Sequence, residues 1–357
     1  MKKTLFILIS ALLVASLFLT GCAPAAAPAA EEAPAAEEAP AAEEPAAEEK
    51  VVVGLVQIDL SHPFHLGEVE GAKEAARRYG FDLRITSGEG DVNKQIQAFE
   101  NLVNEGVDAI AVNFIDVNAF GPAMQKAADA GIPVICLHSE TEGCATVLGF
   151  DEWYTGRTVG DYAVEILTEA PCWPDCQAAN LQGLLGQGLN EARSGGWKEQ
   201  IEAGGVTVVA MEPTDWQPEK AVAAMENWLV AYPDLDLVYG NSDGLTVPAA
   251  ELARANGRDD IIFVSVDGSD FALEAVRDGL MASTFLYAPE YAGFWKAWAP
   301  YRAAMGETLD KEILIKGVLV NTENVGNILE LAKDQKEDIQ NFEFEKSLPE
   351  LIEVYMK

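Results

Sequence analysis

Gly240-Asn241-Ser242-Asp243-Gly244 reads G-x-S-x-G, the sharp strand-to-helix turn that exposes a nucleophilic serine in α/β-hydrolases. The setting fits, because the apolar run 235–239 leads in and a helical pattern follows. A serine nucleophile needs a base, and in that fold the histidine comes after the serine. This chain has three histidines, His62, His65 and His138, and all lie upstream of Ser242. The loop therefore reads as a working strand end without nucleophilic catalysis, and the chain as no enzyme.

Two further patterns that could do chemistry fall away on their residues. Gly186-Gln187-Gly188 would need a third glycine at position 191 to cradle a dinucleotide, and Glu191 stands there, where its charge would repel a pyrophosphate. The set His62-x-x-His65 with His138 could ligate a metal, but no motif imposes tetrahedral geometry on it. Neutral imidazoles acting as hydrogen-bonding groups are the simpler reading, so no metal and no cofactor are expected.

What remains is a polar or aromatic group after nearly every apolar run. These are Ser61-His62-Pro63-Phe64-His65, then His138-Ser139, Arg193, Thr214-Asp215-Trp216, Asn241-Ser242-Asp243, Asp267 and Tyr287. Flat rings cover the C–H faces of a polyol, while amides, carboxylates and guanidinium bond its hydroxyls. A small neutral ligand follows from this chemistry.

The elements that must position these groups alternate in period. Short β-branched runs at 51–58, 81–86, 108–113 and 133–137 are separated by helical patterns at 67–79, 92–104 and 119–130. The pattern restarts after Gly149, with strands at 179–183, 206–211, 235–239 and 261–266 between helices. Repeated βα units predict α/β architecture with parallel, doubly wound sheets, here in two lobes with ligand between their strand ends.

The ends and the charge set the location. Lys2-Lys3 and the apolar run 4–19 read as a secretory signal, residues 1–21, too short for an ordinary membrane span. Leu19-Thr20-Gly21-Cys22 resembles the bacterial lipobox, which implies a lipid on Cys22 and an extracytoplasmic protein anchored to the cell membrane. Residues 22–49 are almost only Ala, Pro and Glu and read as a tether. With a net charge of −34, the chain repels nucleic acid and anionic metabolites. Export permits disulfides; Cys172–Cys176 is the favoured pair and Cys136–Cys144 the second.

The segments VVVGLVQIDLSHPF, GVDAIAVNFID, AGIPVICLHSE, LGFDEWYTG, NEARSGGW, VYGNSDGLTV and FVSVDGSD occur in one order between positions 51 and 320. In this the chain resembles the ribose/galactose-type periplasmic binding proteins, solute receptors of sugar ABC importers. The resemblance implies a periplasmic-binding-protein-like I fold, a monomer with two lobes and a hinge crossed three times, near 150–151, 287–289 and 319–321. The first lobe would hold 51–150 and 288–319, the second 151–287 and 320–357. It also implies that Phe64 and Trp216 sandwich the ligand ring. Arg193, Ser242 or Asn241, Asp267 and Tyr287 would bond it from the second lobe, and His62, His65, His138 and Ser139 from the first. Asp243 would brace the loop behind. His138-Ser139 stands where relatives for ribose often carry Asp-Arg, so the sugar itself is left open. The implied partner is an ABC permease. A chemotaxis or kinase partner, a nucleoside ligand or a metal-dependent ligand are the alternatives.

Overall fold

The computed structural model describes residues 50–337, 341–344 and 346. The signal, Cys22 and the tether lie outside the described residues, as does most of the segment after 337. No helix among the described residues is long and apolar enough to cross a membrane.

In the first half, β1 (Val52–Gln57), α1 (Pro63–Tyr79), β2 (Asp82–Ser87), α2 (Val92–Glu105), β3 (Ala109–Asn113), α3 (Gly121–Asp129), β4 (Val134–Leu137) and β5 (Cys144–Phe150) follow one another. The second half runs α4 (Glu152–Leu167), β6 (Gln177–Gln182), α5 (Gly188–Ala203), β7 (Thr207–Pro213), α6 (Pro218–Ala231), β8 (Leu235–Gly240), α7 (Asp243–Ala255), β9 (Ile262–Asp267), α8 (Asp270–Arg277) and β10 (Ser283–Leu286). Then come α9 (Pro289–Ala304), β11 (Glu312–Ile315), β12 (Val318–Asn321) and α10 (Val325–Glu337).

Two six-stranded sheets result, ordered β11-β5-β4-β3-β1-β2 and β12-β10-β9-β8-β6-β7. Every pairing is parallel except β10 with β12. Strands β3 and β4 are buried along their whole length, as parallel strands covered by helices on both faces must be. The chain passes between sheets after Phe150, after Leu286 and between Ile315 and Val318. The last passage precedes the sequence expectation at 319–321, because Val318–Asn321 already pairs with β10.

Helix α1 begins four residues before the helical pattern at 67–79, because a cap and not a core residue starts it, and a cap likewise starts α4. His62 accepts the N–H of Phe64 ahead of Pro63, and Asp151 accepts that of Tyr154. This places Glu152 on the first turn of α4. The structure pairs Cys172 with Cys176 and Cys136 with Cys144, their Cα atoms 4.9 and 5.7 Å apart.

Helix pairs α1/α9 and α4/α5 lie in close contact. A Cβ at Gly293 would overlap the Glu68 carbonyl, and one at Gly156 the Arg193 carbonyl. That closeness lets one helix of each pair present an acid to a base on the other, Glu68 to Lys296 and Glu152 to Arg193.

The segment after β12 was expected on the second lobe throughout. Helix α10 does pack on α8. The chain then returns to the first lobe: Phe344 stacks on Phe294 of α9 at 4.6 Å, and Arg78 of α1 donates to the Phe342 carbonyl at 2.6 Å. Trp295 Nε1 donates to the Phe344 carbonyl. The aromatic face of α9 is the reason, since Phe342 and Phe344 find burial there.

Candidate functional site

The ends of β1, β4, β8 and β9 converge with α1, α4, α5 and α9 on a buried polar seam. On the first lobe Glu68 is its hub. One carboxylate oxygen accepts Gln57 Nε2 at 2.9 Å and faces His65 Nδ1 at 3.1 Å, and the other accepts from Lys296. Burial alone would raise the Glu68 pKa, but Lys296 and His65 hold it well below the usual range. Lys296 also meets His138 Nε2 at 2.9 Å. An ammonium only donates, so that nitrogen accepts and His138 Nδ1 carries the proton. Burial, with Lys296 beside it, keeps His138 neutral, its pKa well below the ordinary value.

Across the seam, Glu152 takes Arg193 as a fork, Nε to Oε2 at 2.6 Å and Nη2 to Oε1 at 3.2 Å. Arg193 Nη1 also donates to the Asn241 carbonyl at 2.7 Å and to Asp267 at 3.2 Å. Burial opposes its charge, yet Glu152 and Asp267 hold its pKa well above the ordinary value. Tyr287 donates to Glu152 at 3.1 Å, bonds Thr155, and stacks on Phe150 with ring centroids 3.7 Å apart. His138 Nδ1 has no hydrogen-bond partner and lies 3.9 Å from Glu152 Oε1. A buried donor therefore faces a carboxylate from the other lobe.

Arg193, Asp267, Tyr287 and the Asn241 backbone come together in one cluster, with His138 opposite. The Asn241 side chain is committed inside the second lobe, donating to Asn190 and Ser194 and accepting from Asn180. Ser242 Oγ caps α7 through Gly244 N–H at 3.1 Å. Asp243 takes Ser265, Thr284 and the Ser269 N–H behind the loop, and burial with nearby Asp267 pushes its pKa up to about 7.

His62 does approach the serine loop from the other lobe, since a Cβ at Gly244 would lie 3.4 Å from its Nε2 and 3.5 Å from Ser242 Oγ. Its Nδ1 accepts the Phe64 N–H at 3.3 Å, which leaves the proton on Nε2. A protonated Nε2 donates and takes no proton from a serine. The rings of His62 and His65 lie 5.7 Å apart. Ser139 is half-buried beside His138 and makes no side-chain hydrogen bond among the described residues.

Phe64 is buried, lining a cavity of about 160 Å³ with Gly268, Ser269 and Phe271 of the other lobe. Trp216 is half-buried; its Nε1 donates to Gln187 at 2.7 Å, and its ring covers Gly183 so closely that a Cβ there would overlap it. The two rings are brought to opposite lobes and do not touch each other. Six non-glycine residues have positive φ among the described residues, and four of them are His138, Asp215, Trp216 and Asp267. Backbone strain of this kind gathers where the fold holds side chains for function.

Sequence reasoning missed Glu152, Glu68 and Lys296. Each is charged and sits in a helix, where charge ordinarily means a solvated face. The signals available were the early cap at Asp151, which makes Glu152 helical, and a lysine flanked by Trp295 and Ala297 in an aromatic helix.

The family model described as periplasmic binding protein domain matches residues 53–308. The ribose import binding protein of Escherichia coli (strain K12) is 28% identical over 246 residues, which cover 68% of this chain and 81% of that one. The galactofuranose-binding protein of the same organism is 26% identical over 255 residues, 68% of this chain and 79% of its own. Among solved structures, an ABC transporter solute binding protein from Mycobacterium smegmatis with bound glycerol is 27% identical. It aligns with a TM-score of 0.74 over 78% of this chain and 97% of its own. Another, from Bacillus halodurans C-125 with bound myo-inositol, is 26% identical with a TM-score of 0.72, over 79% of this chain and 98% of that one. With the model matched over most of the body and both sheets in the expected arrangement, the chain belongs to the periplasmic binding protein domain family.

Proposed function

We propose that this protein is an extracytoplasmic receptor that captures a small neutral sugar or polyol between its lobes and presents it to an ABC-type permease. The observation that carries the reading is the seam itself. Glu68, Glu152 and Asp267 face Lys296 and Arg193, so three carboxylates meet two cations and an anionic ligand is disfavoured. Ligand hydroxyls would accept from His138 Nδ1 and Arg193 and donate to Asp267, with Phe64 and Trp216 against the ring faces. Such a ligand touches both lobes, binds the closed arrangement better than an open one, and shifts the population toward it.

The named ligands of the relatives, ribose, glycerol and myo-inositol, share adjacent hydroxyls and no charge. The capping bond of Ser242 and the protonated Nε2 of His62 support reading Ser242 as a structural group and not a nucleophile. Secretion by the signal 1–21 and a lipid on Cys22 would hold the monomeric receptor at the membrane beside its permease. A thermal-shift screen across pentoses, hexoses, inositols and nucleosides tests the reading. A ligand at 100 times its Kd stabilises the fold by about 2.7 kcal/mol, a shift of several degrees. A screen in which no polyhydroxylated compound raises the melting temperature would sink it.

A further inference from the structure

The return from β4 to β5 is made by residues 138–143 alone, without a helix. Parallel neighbours are ordinarily joined by about a dozen or more residues. This short return opens at the cleft end of β4 with His138, whose φ of 63° few non-glycine residues adopt, and Ser139. Beyond His138 little holds the segment. No side chain from Ser139 to Glu142 forms a hydrogen bond or ion pair among the described residues. Its backbone bonds are confined to Thr141, whose N–H reaches Cys144 Sγ and whose carbonyl accepts the Cys144 N–H, each at 3.3 Å. The Cys136–Cys144 disulfide closes this return covalently, with its Cα atoms 5.7 Å apart.

The crosslink sits where the pairing of β4 with β5 is irregular. Val134 faces Cys144 but Ile135 faces Thr146, so Ala145 is an extra residue in β5. Beyond that bulge, the register sets the surroundings of His138. Leu137 faces Leu148, whose carbonyl accepts the His138 N–H at 3.0 Å. Gly149 lies so close that a Cβ there would come within 3.1 Å of the His138 Cα. Phe150 brings its ring to 5.0 Å from the imidazole. A slip of one residue would exchange the two faces of β5, and Leu148 or Phe150 in the place of Gly149 would strike the His138 backbone.

We propose that the Cys136–Cys144 disulfide is a positioning crosslink for the ligand site: it pins β5 against β4 at the bulge and thereby holds His138, with Ser139, at the cleft. Cys172–Cys176 has no such part. It precedes Gln177, the first residue of β6, at the end of the second sheet away from the cleft. The positioning of His138 stands on this geometry alone; its effect on ligand affinity rests on the proposed receptor function.

The test compares the wild-type receptor with Cys136→Ala/Cys144→Ala, and with Cys172→Ala/Cys176→Ala as the control for losing a disulfide. Nitrogen-15 NMR of the His138 imidazole needs no ligand. The Nδ1–H tautomer is expected in the wild type and the control. An averaged tautomer signal is expected in the first variant, where the ring no longer keeps its place against Lys296. Calorimetry with the tightest compound of a pentose, hexose and inositol screen should show binding about tenfold weaker in that variant and unchanged in the control. In a His138→Asn/Ser139→Ala background the same two alanines should cost less than about twofold, because the groups they displace are already gone. Cys144→Ser alone, which leaves the buried Cys136 in place, serves if the double variant does not fold. An imidazole signal unchanged without the crosslink, or an equal loss of affinity with and without His138 and Ser139, would overturn the proposal. A wild-type receptor that binds no polyol overturns the receptor function instead, and the imidazole signal still decides the role of the crosslink.

Discussion

Glu152 and Arg193 form a two-bond fork between α4 and α5, with side chains only 7% and 6% exposed. A fork at the surface would contribute little, but a buried one leaves unpaired charge when broken. Arg193→Met would strand both Glu152 and Asp267. We expect it to lower the unfolding free energy by about 3–5 kcal/mol and to abolish ligand binding. Urea unfolding with calorimetric titration checks both, and a stability loss under about 1 kcal/mol would mean that water already reaches the pair.

Trp216 and Gly183 provide a paired test of the ligand ring site. Trp216→Ala removes the ring, whereas Gly183→Ala leaves it but displaces it, because the new methyl occupies its place. Each should weaken polyol binding by about 1–3 kcal/mol, as measured by calorimetry. Unchanged affinity in both would move the ring out of the site.

Two groups titrate in opposite senses. Asp243 is raised to about 7 by burial and then by Asp267, above its ordinary value near 3.8. Its contribution to stability is full below about pH 3.8, falls as pH rises from there, and is lost once pH has passed about 7. His138 is held well below its ordinary 6.5 by burial and then by Lys296, so its contribution is lost as pH falls below that value. The two contributions oppose each other below about pH 6.5, so melting temperature followed from about pH 4 to 8 should rise more steeply with pH between about 4 and 7 in Asp243→Asn, and should fall less on acidification below 6.5 in His138→Asn. Asparagine suits position 138 because it tolerates the positive φ of 63° there. A wild-type slope retained in both variants would contradict the assignments.

The C-terminal segment ties the lobes outside the hinge, α10 on α8 and Phe344 on Phe294. Phe344→Ala removes a fully buried ring from that tie. The ligand-free protein should then show a larger radius of gyration by X-ray scattering, and polyol affinity should fall several-fold, while the ligand-saturated radius stays unchanged. Identical ligand-free radii would show that the tie does not limit opening.

Much of this was legible in the sequence. Alternating periodicity carries the α/β architecture, because a strand covered on both faces must be apolar throughout while a helix needs only a stripe. Ser61 to His65, His138, Arg193, Asn241, Asp267 and Tyr287 stand out as polar or aromatic groups at the ends of such runs. Glycines in αL caps, such as Gly80 and Gly106, mark helix ends in the chain itself.

Three-dimensional packing decided the rest. Glu68, Glu152 and Lys296 look like solvated helix charges until close helix pairing buries them, and each acquires its partner from a distant segment, 228 positions away for Glu68 and Lys296. Asn241 and Ser242 read alike as ligand groups, yet the fold directs one side chain into the second lobe and the other onto a helix cap. Local sequence determines which residues reach a strand end. Which of them face the cleft depends on what every other segment has already bonded, and only the tertiary structure sets that.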